Sequence, residues 1–163
     1  MKSHRRKTLD IYAEQALKNM GVVPGKIEDF DKLRKKVIDG LKKNYSDKAI
    51  RCFIEKKNYG GFIQPDAYAW IKGPCGDTME FYLKVNKGRI KKAGFTTDGC
   101  ESSVACGQIV SEIVIGKNIP EVMKLTQKKI LAEIGKFPKE SRHCALLAVN
   151  TAKDAVRKFR EKE

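Results

Sequence analysis

The sequence predicts an α+β domain: a three-stranded antiparallel sheet with helices packed on one face, preceded by an N-terminal helical extension. Three observations point there. Apolar residues alternate over 78–85, as in a half-buried strand. Asn86-Lys87-Gly88 supplies hairpin-turn chemistry straight after it. Beyond residue 101 the apolar period becomes helical and stays helical to the C-terminus. Strands followed by helices, rather than alternating with them, argue α+β.

The elements follow in order. Residues 1–43 form the extension. Leu9, Tyr12, Ala13, Ala16, Leu17 and Met20 recur at helical spacing, and Gly21 to Gly25 makes a turn. Ile27, Phe30, Leu33, Val37 and Leu41 form a second stripe. Two short amphipathic helices cannot bury both stripes alone, so both should pack on the main domain or on a partner. The main domain is expected over 44–163.

A helix over about 45–54 puts Ala49, Cys52 and Phe53 on one side. A strand over 67–72 comes next. Thr78 to Val85 turns Met79, Phe81, Leu83 and Val85 to one face and Thr78, Glu80, Tyr82 and Lys84 to the other. Arg89 to Thr97 returns antiparallel with Ile90, Ala93 and Phe95 inward, and the step of three from Ile90 to Ala93 predicts a bulge. A helix over about 102–115 ends at Gly116. Pro120 suits a first helical turn. Thr126 caps a short helix that stops at Gly135. From Ser141 onward Ala145, Ala148, Val149, Ala152, Val156 and Phe159 give a long core-facing stripe. Its last turn is basic, which suits the helix dipole.

Composition excludes several classes. A chain of 163 residues suits one domain with an appendage. No apolar run reaches the roughly 18–20 residues that span a membrane. The basic N-terminus (Lys2, Arg5, Arg6, Lys7) is followed by Asp10, Gln15 and Lys18 rather than an apolar stretch, so no secretory leader is expected. The net charge is +14, with an excess of eight in residues 1–65 and six in 66–163. So even a spread reads as a solvated basic surface, able to steer an acidic protein partner, rather than a nucleic-acid patch. The aromatics are not interleaved with the charges as a base-stacking platform requires. Five cysteines, an odd number, do not make a disulfide framework. They read as cytoplasmic thiols used for metal or sulfur chemistry.

Three runs carry that chemistry: Gly73-Pro74-Cys75-Gly76-Asp77, Asp98-Gly99-Cys100 and Arg142-His143-Cys144. They hold three thiols, a carboxylate and an imidazole, a ligand set for a soft metal centre. Cys75 falls in a hairpin loop, Cys100 between a strand and a helix, and Cys144 in the first turn of the last helix. The fourth ligand stays open between Asp77 and His143. Asp77 is two residues from Cys75 and offers a hard oxygen. His143 and Cys144 point about 100° apart on a regular helix, so both reach one centre only if that helix starts late or distorted. Cys52 and Cys106 have apolar neighbours and read as buried packing residues. His4 lies in the tail and is given no role.

The stretch Gly-Pro-Cys-Gly-Asp-Thr-Met-Glu (73–80), then Thr-Asp-Gly-Cys-Glu-Ser-Ser (97–103), then His-Cys-Ala-Leu-Leu-Ala (143–148) resembles the NifU/IscU family of iron–sulfur cluster scaffolds. The spacing agrees, with 24 residues between Cys75 and Cys100 and 43 between Cys100 and Cys144. Tyr45-Ser46-Asp47-Lys48 and Lys57-Asn58-Tyr59-Gly60 resemble the family's opening helix and following loop. The resemblance covers about residues 44–160 and implies a scaffold rather than an enzyme. It implies sulfur from a pyridoxal-phosphate cysteine desulfurase, iron, electrons from a ferredoxin-type donor, a transient [2Fe–2S] cluster, and transfer to apo iron–sulfur proteins. Cys75, Asp77, Cys100, His143 and Cys144 are the implied cargo ligands.

Cys144 is the expected sulfur acceptor of the metal-free protein. The helix N-terminus, Arg142 and His143 favour its thiolate, whereas Cys75 and Cys100 have acidic neighbours. An alternative is a zinc-binding sulfurtransferase of the SufU type. Those proteins carry an insertion between the second and third cysteines and lack the histidine; this chain has no insertion and has His143. A nucleic-acid module with structural zinc would need paired Cys-x-x-Cys knuckles, which are absent. The family's Leu-Pro-Pro-Val-Lys chaperone loop reads Phe137-Pro138-Lys139-Glu140-Ser141 here, so that chaperone is not an expected partner.

Overall fold

The computed structural model describes residues 27–161. Three strands, β1 (Ala67–Lys72), β2 (Thr78–Asn86) and β3 (Arg89–Thr97), form one antiparallel sheet in the order β1-β2-β3. Alternation along β2 buries Met79, Phe81 and Leu83 on the inner face, where they meet Ala67 and Ala69 of β1 and Ala93 and Phe95 of β3. Lys87 and Gly88 both take positive φ, 49° and 68°, in the two-residue turn between β2 and β3. The expected bulge is present. Lys84 pairs with Lys92 and Val85 with Ile90, leaving Lys91 extra on β3. This shift lets Ile90 and Ala93 both face inward.

Six helices accompany the sheet among the described residues: α1 (Ile27–Lys42), α2 (Asp47–Glu55), α3 (Glu101–Val114), α4 (Ile119–Met123), α5 (Gln127–Ile134) and α6 (Arg142–Arg160). Their starts follow local chemistry. Ser46 accepts from Ala49 N at the head of α2, Asn118 and Glu121 form a reciprocal capping box on α4, and Thr126 caps α5. α6 packs across β1 and β2, and α3 packs across β3 and against α6. The loop before β1 closes the free edge of β3: Phe95 N donates to Asn58 O and Gly60 N donates to Phe95 O.

The expected stripe on α1 is divided among the described side chains. Leu33 and Val37 are 43% and 53% exposed, while Ile38 and Leu41 pack on the core. The cause is where the helix meets the domain. Its last turns are held there by Tyr45, whose N–H donates to Leu41 O and whose ring packs on Phe53 and Phe137. That anchor sets the rotation of α1 and leaves the Leu33–Val37 line outward. The stripe expected over residues 9–20, and His4, lie outside the described residues.

Candidate functional site

The site forms where three element ends meet: the β1–β2 hairpin, the β3–α3 junction and the start of α6. Cys100 is the N-cap residue of α3. Its side chain makes no capping bond, so the sulfur is not engaged by the helix, and the residue is exposed. The junction is stitched to the hairpin base. Asp98 Oδ1 accepts from Thr78 N at 2.5 Å, and Thr97 Oγ1 donates to Thr78 O at 2.5 Å. Hydrogen bonds from Thr78, its backbone N–H first and then its side chain, hold the Asp98 carboxyl below its usual range.

The hairpin places Asp77 and Cys75 differently. Gly73 N donates to Asp77 O at 2.7 Å and Gly76 N to Gly73 O at 3.0 Å, so the tip is a closed turn with Cys75 exposed on it. Gly73 packs close to Leu147 of α6. Asp77 turns inward instead. Its Oδ2 accepts from Ser103 Oγ at 2.8 Å, and Ser103 Oγ lies 3.3 Å from Cys144 Sγ. One potential ligand atom from each of Asp77, Cys100 and Cys144 lies within 4.8 Å of the others. Cys75 is not part of that group. A side chain at Gly99 would overlap Asp77 Oδ2 and come within 2.6 Å of Ser103 Oγ, so only glycine lets these parts close up.

α6 begins without a side-chain cap; Ser141 sits at φ −94°, ψ 2°. Successive three-residue bonds, Ser141 N to Pro138 O, Arg142 N to Lys139 O and Cys144 N to Ser141 O, wind the chain tightly into the helix. The helix thus starts with a tightened turn, and His143 is not part of the Asp77–Cys100–Cys144 group. His143 Nδ1 donates to Glu140 O at 2.7 Å, which leaves Nε2 with its lone pair 3.6 Å from Cys144 Sγ in the neutral ring.

Burial of Cys144 works against the thiol order expected from sequence. Cys144 is 1% exposed, and burial pushes its thiol up to about 11, only partly offset by the Ser103 hydrogen bond. Cys75 and Cys100 are the exposed thiols. Cys52, raised to about 11, and Cys106, raised well above the usual range, are buried core residues whose shifts come mainly from desolvation.

Sequence reading missed Ser103. It lies three residues after Cys100 on α3, and that i, i+3 spacing was a usable signal that both share one helix face.

Comparison with known proteins now bears on this geometry. Residues 44–163 match the family model described as the NifU-like N-terminal domain. The chain belongs to that family. It is 34% identical over 113 residues to an iron–sulfur cluster assembly scaffold protein IscU of Archaeoglobus fulgidus, covering 69% of this chain and 74% of the relative. Among solved structures, the N-terminal part of a NifU-like protein from Brucella abortus shares the fold. Its TM-score is 0.61 at 22% identity, over 76% of this chain and 99% of that one. A candidate SUF-system scaffold from Fervidobacterium islandicum gives a TM-score of 0.57 at 22% identity, over 70% of this chain and 97% of the other. Likeness at that identity shows the fold alone. No helix among the described residues is long and apolar enough to cross a membrane.

Proposed function

We propose that this chain is a scaffold on which an iron–sulfur cluster is assembled and from which it is handed to apoproteins. The observation that carries the reading is the convergence of Asp77, Cys100 and Cys144 within 4.8 Å, with His143 Nε2 against Cys144 and Cys75 on the adjoining hairpin. Thiolates suit iron bound to sulfide, and a carboxylate is a poorer, harder donor. A [2Fe–2S] cargo needs four protein ligands; the three thiolates leave one position for which Asp77 and His143 compete. That weak fourth ligand keeps the cargo transferable.

Sulfur would come from a cysteine desulfurase as a persulfide, and iron would arrive separately. A ferredoxin-type donor would supply two electrons for each sulfur reduced to sulfide. Cys144 is the proposed acceptor in the metal-loaded form, where coordination rather than the helix dipole supplies its thiolate. The five unpaired cysteines suit a reducing, cytoplasmic setting. The protein would act as a carrier, regenerated at each hand-over, rather than as a turnover enzyme.

The test is metal and acid-labile sulfide analysis after anaerobic purification and reconstitution with iron, cysteine and desulfurase. Iron with matching sulfide is expected. Zinc without sulfide, persisting through reconstitution, would overturn the scaffold reading in favour of a zinc-dependent sulfurtransferase.

A further inference from the structure

We propose that Ser103 is a positioning residue of the cargo site, whose single hydroxyl proton is shared between Asp77 and Cys144. The role rests on the scaffold reading and names a residue that reading does not require. Ser103 is fully buried on α3, one turn beyond Cys100. Its Oγ is 2.8 Å from Asp77 Oδ2 and 3.3 Å from Cys144 Sγ. It touches two members of the ligand group and shares its helix end with the third.

A serine hydroxyl has one proton to donate and two lone pairs to accept with. A carboxylate oxygen is a stronger acceptor than a thiol sulfur, so the proton goes to Asp77 Oδ2. The same Oγ–H also lies 3.3 Å from Cys144 Sγ, the second acceptor for that one proton. This is the only hydrogen bond the Asp77 carboxylate receives among the described residues. The bond keeps a half-buried carboxylate turned inward that would otherwise be drawn to water. It also occupies Oδ2, leaving Oδ1 as the oxygen Asp77 can offer to metal. Ser103 Oγ stands between two members of the ligand group, with one proton for both. Gly99 makes the arrangement sterically available, because a side chain there would occupy the space of both partners.

Cobalt(II) is a suitable probe, since its sulfur-to-metal charge-transfer and ligand-field bands report the number and kind of ligands. Anaerobic titrations would compare wild type, Ser103→Ala, Ser103→Thr, Asp77→Ala and the Ser103→Ala/Asp77→Ala double variant, each checked for folding by circular dichroism. Loss of an orienting partner should weaken cobalt binding about tenfold in Ser103→Ala. Its ligand-field bands should move toward those of Asp77→Ala, and Ser103→Thr should restore them. The double variant should be no weaker than Asp77→Ala alone, because Ser103 acts through Asp77. Additive losses in the double variant, or Ser103→Ala bands unchanged from wild type, would overturn the role of Ser103 and leave the scaffold reading standing. A wild-type protein with no charge-transfer band would instead overturn the cargo site, and the role of Ser103 with it.

Discussion

Cys144 and Cys75 belong to one candidate site, yet Cys144 is 1% exposed behind α3 while Cys75 stands open on a hairpin tip. The helical side of the site is cross-bonded: Ser103 ties Asp77 to Cys144, and His143 is fixed by Glu140 O. The loop side, Cys75 and Cys100, has exposed residues, and Cys100 makes no capping bond. Under the scaffold reading the cross-bonded, desolvated side would hold geometry, and the open side would admit metal, sulfur and partner. The contrast also shows that three thiols of one candidate site differ in burial.

The largest expected contrast is in alkylation of the metal-free protein. With its thiol near 11, Cys144 would be ionised at pH 8 to only about one part in a thousand. Its modification rate should therefore rise about tenfold per pH unit up to about 11, because only the thiolate reacts. At pH 8, iodoacetamide and mass spectrometry should find Cys75 and Cys100 modified long before Cys144. Equal rates at the three positions would erase the two-sided picture.

Sulfur transfer sharpens it next. With desulfurase and cysteine, persulfide in the metal-free protein should fall on Cys75 or Cys100 and be little changed in Cys144→Ser. In the metal-loaded protein the same variant should lose most of its persulfide. Full yield in loaded Cys144→Ser would remove Cys144 as acceptor.

A smaller effect is expected from Asp77→Ala. Removing the hard ligand should make the assembled cluster persist severalfold longer in air, followed by the decay of its absorbance. Decay as fast as in wild type, or faster, would show that Asp77 does not set lability.

The smallest effect concerns residues 1–43. Every candidate ligand residue lies after Tyr45, and Tyr45 itself anchors the domain through Phe53, Phe137 and a 2.8 Å hydrogen bond with Ser102. A chain starting at Asn44 should load sulfur and iron as wild type does, read by sulfide analysis. A folded truncation that no longer accepts sulfur would make the extension a docking element, with the exposed Leu33–Val37 line its first suspect.

Much was legible before any coordinates. Alternation places Met79, Phe81 and Leu83 inside because a strand has period two, whatever surrounds it. Asn86-Lys87-Gly88 marks its turn because both central residues need positive φ. The ligand motifs stand out because soft-metal chemistry restricts which side chains can serve. These features depend on neighbours within a few residues.

Three things waited for the tertiary structure. The rotation of α1 depends on how Tyr45 docks, so the Leu33–Val37 stripe could not be assigned a side from its own period. The burial of Cys144 depends on α3 packing against α6, which no local pattern in the sequence shows. The bridge from Asp77 through Ser103 to Cys144 joins residues 26 and 41 positions apart. Local patterns follow from the geometry of one element, whereas burial and through-space bonds follow from which elements meet.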